Sequence, residues 1–90
     1  MQVVKNAVAG TLESSDIYIE VSPGQGITIE LTSAVMQQFG DSIKKTMMEV
    51  IQRLEVQHAH IRAHDRGALD CVIMARLETA LLRAGKRDAS

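Results

Sequence analysis

The stretch Ile17-Tyr18-Ile19-Glu20-Val21-Ser22-Pro23-Gly24-Gln25-Gly26-Ile27-Thr28-Ile29-Glu30-Leu31 carries the clearest pattern in the chain. Ile17, Ile19 and Val21 alternate with Tyr18 and Glu20, and Ile27, Ile29 and Leu31 alternate with Thr28 and Glu30. Successive strand side chains point to opposite faces, so each run has one apolar face and one polar face. Two such runs on either side of a Pro/Gly loop read as a β-hairpin with one buried face. The loop glycines lack the lysine and the strand-to-helix setting of a phosphate-binding loop, so the loop reads as a plain turn.

On the N-terminal side, residues 3 to 12 (VVKNAVAGTL) are small and β-branched and read as an extended segment, weakened at Gly10. On the other side, Thr32 or Ser33 is placed to cap a helix. Val35, Phe39, Ile43, Met47, Val50, Ile51 and Leu54 recur at spacings of three and four and predict an amphipathic helix over residues 34 to 54. Gly40 inside it costs about 1 kcal/mol against Ala. It marks either a close approach to a strand or a break recapped by Asp41.

Residues 56 to 64 (VQHAHIRAH) alternate again and predict a half-exposed strand, followed by a turn at Asp65-Arg66-Gly67. Leu69, Val72, Ile73, Leu77, Ala80, Leu81 and Ala84 predict a second helix over residues 68 to 84. Gly85 suits its C-terminal cap, and Arg83, Lys86 and Arg87 suit the negative end of its dipole. The order strand-strand-strand-helix-strand-helix predicts an α+β fold: a small mixed or antiparallel sheet of about four strands with both helices packed on one face. Residues 1 to 90 read as one domain, with residues 86 to 90 a frayed tail.

Composition narrows the function classes. Ninety residues bury only about 60 to 65% of the unfolded surface. A small-molecule pocket of about 300 Å³ or more would consume much of such a core. A carrier, a binding module or a subunit of something larger fits better than a self-contained enzyme. Hydrophobic content of 46% argues against disorder. The only aromatic residues, Tyr18 and Phe39, offer no stacking platform for single strands. Net charge is −1, with no basic block outside Arg83 to Arg87, which argues against nucleic acid. The lone Cys71 has no internal disulfide partner. With no signal-like run and no stretch of ~18 apolar residues, the expectation is a cytoplasmic protein without a membrane partner.

Several groups could carry chemistry. His58, His60 and His64 share one strand face; two of them could reach one metal ion, but a firm site needs three or four ligands, and a solvated polar face is the simpler reading. Cys71 near the start of the second helix reads as a buried structural thiol. Met36, Met47, Met48 and Met74 read as core filler or a soft partner surface. Gly40-Asp41-Ser42-Ile43 looks like the Asp-Ser-Leu site of ordinary acyl carriers, but Ser42 falls inside a helical stripe, after the predicted hairpin. The segment Ala7-Val8-Ala9-Gly10-Thr11-Leu12-Glu13-Ser14-Ser15-Asp16 holds no base and no aromatic, only small residues leading to two hydroxyls between two acids. It is either a plain turn between strands or a place to attach something. A serine joined to a phosphate as a diester would carry a durable, always anionic arm, and Glu13 and Asp16 would keep that loop in water.

The run Ala-Val-Ala-Gly-Thr-Leu-Glu-Ser-x-Asp resembles the N-terminal signature of the citrate lyase acyl carrier protein (gamma chain) family. Phe39-Gly40-Asp41 with Ile43, and Arg66-Gly67-Ala68-Leu69-Asp70-Cys71 followed by Ala75-Arg76-Leu77-Glu78, resemble it too, in register from residue 7 to about residue 84. The resemblance implies a non-catalytic carrier subunit of citrate fermentation. Ser14 would bear, through a phosphodiester, 2′-(5″-phosphoribosyl)-3′-dephospho-coenzyme A. The implied partners are an alpha chain (acyltransferase) that exchanges acetyl for citryl, a beta chain (lyase) that releases oxaloacetate, a prosthetic-group transferase, and an acetate ligase acting on the thiol. In that picture Ala7, Ala9 and Gly10 let partner surfaces approach the root of the arm. The family often has glycine after the modified serine; here it is Ser15, a rival hydroxyl. The rival functions are the carrier of a citramalate lyase or a malonate decarboxylase, and an unmodified interaction or metal-binding module using the histidine face.

Overall fold

The computed structural model describes residues 1–86. Four strands, β1 (Ala7–Ala9), β2 (Ile17–Ser22), β3 (Ile27–Ser33) and β4 (Ala59–Asp65), and two helices, α1 (Met36–Arg53) and α2 (Asp70–Gly85), follow the predicted order. The sheet is mixed, and both helices cover the same face, α2 over β1 and β2 and α1 beside it over β3. Of the predicted tail, Lys86 closes α2, and residues 87 to 90 lie outside the described residues.

The predicted hairpin is absent. The strand order is β1-β2-β4-β3, with β4 antiparallel to β2 and parallel to β3. Alternation shows which face of a strand is buried but not which strand lies beside it. Crossing over β4 asks the loop to span two strand spacings, roughly 10 Å. Residues 23 to 26 cover that easily, since an extended chain reaches about 3.3–3.6 Å per residue. The loop passes directly over the start of β4: a Cβ on Gly24 would sit 3.1 Å from the Ala59 carbonyl carbon and the His60 nitrogen. One loop glycine therefore serves a close crossing. The segment β3-α1-β4 forms a parallel unit, whose crossover helix has to return the chain to the end where β3 began.

Ile17, Ile19 and Val21 of β2 and Ala59, Ile61 and Ala63 of β4 point inward and are fully buried against Met47, Val50 and Ile51 of α1 and Ile73, Leu77 and Leu81 of α2. The apolar stripe of α1 is buried only from Gly40 onward, and Phe39 remains 51% exposed. Gly40 neither breaks the helix nor meets a strand; the Met36 side chain of its own helix lies over it, 2.9 Å from where a Cβ would be. Neither Thr32 nor Ser33 is the N-cap, which is Val35. The Ser33 hydroxyl instead accepts the Val35 N–H at 3.1 Å and donates to the buried Asp65 at 2.8 Å, tying the ends of β3 and β4 together. Asp65 also accepts the Ala68 N–H, which shapes the turn into α2. Gly85 is the last helical residue and not a left-handed cap; the N-terminal segment packs against it, and the N–H groups of Val4 and Lys5 both donate to the Ala84 carbonyl. Arg83 reaches the Val8 carbonyl of β1 instead of the carbonyls at its own helix end.

Candidate functional site

Ser14 stands at the tip of the β1–β2 connection. The Asp16 N–H donates to the Glu13 carbonyl at 3.2 Å, closing a four-residue turn with Ser14 and Ser15 at its corners. Ser15 has φ 65, and Ser14 is not among the residues with positive φ. A positive φ at the third position alone defines a type II turn. The Ser15 N–H donates to the Arg66 carbonyl at 2.8 Å, and the Arg66 N–H donates to the Asp16 carbonyl at 2.9 Å. Two residues thus face one across the extended β2–β4 ladder. This is a β-bulge of the kind that places glycine in the left-handed position.

The bulge gives a physical reason for glycine after the serine. A side chain in the left-handed region costs roughly 1–2 kcal/mol, partly offset by the unfolded-chain entropy of glycine. Ser15→Gly is expected to raise stability by about 0.5 kcal/mol, seen as a shifted denaturant midpoint at constant m-value. A destabilised Ser15→Gly chain would contradict this account of the turn.

Beneath the turn lies Asp16, 9% exposed. Its carboxylate accepts from Arg76 Nε at 3.0 Å and Nη2 at 2.9 Å, from the Thr11 hydroxyl at 2.7 Å, and from the Ile17 N–H at 2.8 Å. The Arg76 and Thr11 hydrogen bonds hold its pKa well below the usual carboxylate range, against a smaller upward push from burial. Such a group contributes stability above its unfolded value of about 3.9 and loses it progressively as pH falls through the lower folded value. Arg76→Ala leaves a mostly buried carboxylate without its main partner. Because the Arg76 side chain is 42% exposed, the cost should be about 2 kcal/mol, below that of a fully buried pair. The stability lost between about pH 5 and pH 2 should shrink in the same variant. Urea titrations of both chains across that range would show it, and parallel pH profiles would refute the role of the pair.

Gly10 completes the pedestal. Its φ is +90, and a Cβ there would fall on the carbonyl oxygen of Ile17. Ala9 is buried in the core and the half-buried Ala7 packs against it, so both contribute to internal packing. Thr11, Leu12, Glu13, Ser14 and Ser15 are exposed. Among the described residues, no hydrogen bond holds the Ser14 hydroxyl.

The other flagged residues do not converge on a site. His58 Nδ1 accepts the Gly26 N–H at 2.9 Å, His60 Nε2 lies 2.6 Å from Glu30, and the His64 ring stacks on Tyr18 at 6.5 Å. No group of three His, Cys, Asp or Glu side chains among the described residues is placed to hold a metal ion. Cys71 is exposed on the outer face of α2, contrary to the expected buried thiol. Ser42 is an exposed helix position. An open cleft between residues 1–4 and 55–58, next to Gly24, lies at the far end of β2 from Ser14, roughly 20 Å away. No helix among the described residues is long and apolar enough to cross a membrane. Neither Arg76 nor Arg66 is legible in the sequence as part of the site, because their partners lie on distant segments; Thr11 belongs to the quoted run, but its bond to Asp16 five residues on is visible only in the structure.

Comparison with known proteins agrees with this picture. The family model described as malonate decarboxylase delta subunit (MdcD) matches residues 4–84. The citrate lyase acyl carrier protein of Haemophilus ducreyi is 51% identical over 84 residues, covering 93% of this chain and 88% of that protein. That of Treponema denticola is 45% identical over 87 residues, covering 97% of this chain and 100% of that protein. A chain of a Pseudomonas malonate decarboxylase hetero-tetramer, solved in complex with malonate, shares the fold at a TM-score of 0.82 and 22% identity, covering 92% of this chain and 87% of that one. Sequence, fold and the locked serine turn converge, and the chain belongs to the citrate lyase acyl carrier protein family.

Proposed function

We propose that this protein is the non-catalytic acyl carrier subunit of a cytoplasmic citrate lyase complex, bearing 2′-(5″-phosphoribosyl)-3′-dephospho-coenzyme A on Ser14. The observation that carries the reading is the Ser14 hydroxyl, exposed and unheld at the corner of a turn whose backbone is fixed on both sides. Such a residue fits a bulky covalent group: nothing has to move to receive it, and the load does not disturb the core. When bound, the group supplies a terminal thiol that carries an acyl chain as a thioester.

The chain's own residues give the arm a fixed root. The Asp16–Arg76 pair and the bulge opposite Arg66 hold the turn, so the sweep comes from the arm and not from the protein. Tethering turns each encounter with an alpha or beta chain active site into an intramolecular one, with effective concentrations of about millimolar for short flexible links. Glu13 keeps the turn hydrated beside an anionic phosphodiester. The bond chemistry belongs to the partner chains, and the transferase and acetate ligase act on the carrier to load and recharge it.

Peptide mapping of the chain purified from its native complex tests the reading. The nucleotide-thiol mass should sit on the peptide containing Ser14, and a bare Ser14 in active material would sink the proposal. The match to the malonate decarboxylase delta subunit family favours one second reading, a carrier for a malonyl-type acid. Identities of 45–51% to citrate lyase carriers weigh against it. Turnover of citrate but not malonate by the native complex would separate the two.

A further inference from the structure

We propose that Arg66 is the cation that holds the phosphate at the root of the Ser14-linked arm. The inference rests on the reading of Ser14 as the attachment point. Arg66 is the one residue facing the bulge, and its N–H and C=O both bond to the turn, at 2.9 and 2.8 Å. Opposed residues of an antiparallel pair lie about 5.5 Å apart, and one further residue adds at most about 3.8 Å. The Ser14 and Arg66 Cα atoms are therefore within about 10 Å, which an arginine side chain and a phosphate on the serine oxygen together bridge.

Charge pairing singles out the same residue. Arg53 pairs with Glu78, Arg62 lies near Glu20 and Glu30, Arg76 is committed to Asp16, and Arg83 donates to the Val8 carbonyl. Among the described residues, Arg66 is the arginine whose guanidinium has no partner. It is exposed, and the neighbouring Gly67, with φ +90, has nothing within 4 Å of where a Cβ would sit, so the space beside it is open. The buried β4 residues are Ala59, Ile61, Ala63 and Asp65, so alternation sends Arg66 away from the helices. Its planar, permanently charged fork matches the two free oxygens of a phosphodiester. Of the two acids on the turn, Asp16 is buried and paired with Arg76, while Glu13 is exposed and would repel the phosphate. A cation on the facing strand offsets that repulsion and fixes the direction in which the arm leaves.

Phosphorus NMR of the loaded carrier tests this, with wild type, Arg66→Gln and Arg66→Lys compared at about 0.01 M and about 1 M salt, where the Debye length falls from about 30 Å to about 3 Å. In wild type the diester resonance should be broad at low salt and should narrow and shift at high salt. Arg66→Gln should show the narrow, shifted signal at both salt levels, and Arg66→Lys should fall between. The thermal midpoint should not change, because the substitution keeps the backbone bonds to the turn. A salt-independent diester signal shared by wild type and Arg66→Gln would overturn the role of Arg66 while leaving Ser14 as the anchor. A wild-type chain from active complex with no diester phosphorus would overturn the reading of Ser14 and this inference with it.

Discussion

Ser14→Ala should give a carrier that folds normally and never carries a load. The hydroxyl is exposed and, among the described residues, makes no hydrogen bond, so its removal should change stability by no more than ~0.5 kcal/mol. The loss of function should be complete, because no other group on the turn takes its place. Ser15 is next in sequence, but its N–H is bonded to Arg66 and its φ of 65 turns its side chain on a different course from that of Ser14. Intact mass after co-expression with the transferase would read the outcome: the full added mass on wild type and on Ser15→Ala, and none on Ser14→Ala. Loading of Ser14→Ala, or its loss in Ser15→Ala alone, would move the anchor to Ser15.

Gly10→Ala should cost about 3 kcal/mol or more and loosen the turn that carries Ser14. Two effects add. The left-handed backbone at φ +90 disfavours any side chain by roughly 1–2 kcal/mol. The new methyl would also fall on the Ile17 carbonyl oxygen, which is held in β2 and cannot swing aside like a flexible side chain. In a domain of this size total stability is on the order of 5–13 kcal/mol, so the change removes a large share. The expected fall in Tm is about 12–24 °C, at about 4–8 °C per kcal/mol. Gly26→Ala and Gly67→Ala make the controls: both glycines have positive φ but nothing within 4 Å of a Cβ, so only the backbone cost of about 1 kcal/mol should appear. A Gly10→Ala chain no worse than these controls would show that the close approach to Ile17 is not needed.

The two helices, the inward faces of β2, β3 and β4 and the serine turn were legible because each is written in local spacing. Ile43, Met47, Val50 and Ile51 repeat at helical intervals, and Ile17, Ile19 and Val21 repeat at strand intervals, whatever the rest of the chain does. Phe39 and Leu69 continued those apolar patterns yet stand 51% and 70% exposed, because the stripe of each helix runs past the sheet it covers. The exposure of Cys71 has the same origin: it sits on the helix's outer face, a placement set by where the sheet lies. His60 and His64 share a face of β4 as expected, whereas His58 lies before the strand begins at Ala59; each has its neighbour on another strand or loop and not on another histidine.

Residue order alone determined the α+β class, the inward faces and the candidate anchor at Ser14, since these follow from nearest-neighbour geometry and from the family signature. Long-range packing set the rest: β4 lies between β2 and β3, Asp16 meets Arg76 sixty residues away, and Arg66 faces the serine turn. The reason is that strand periodicity reports which side is buried and says nothing about which edge is paired. The partners of a buried carboxylate or of a bulge are chosen when distant segments pack together.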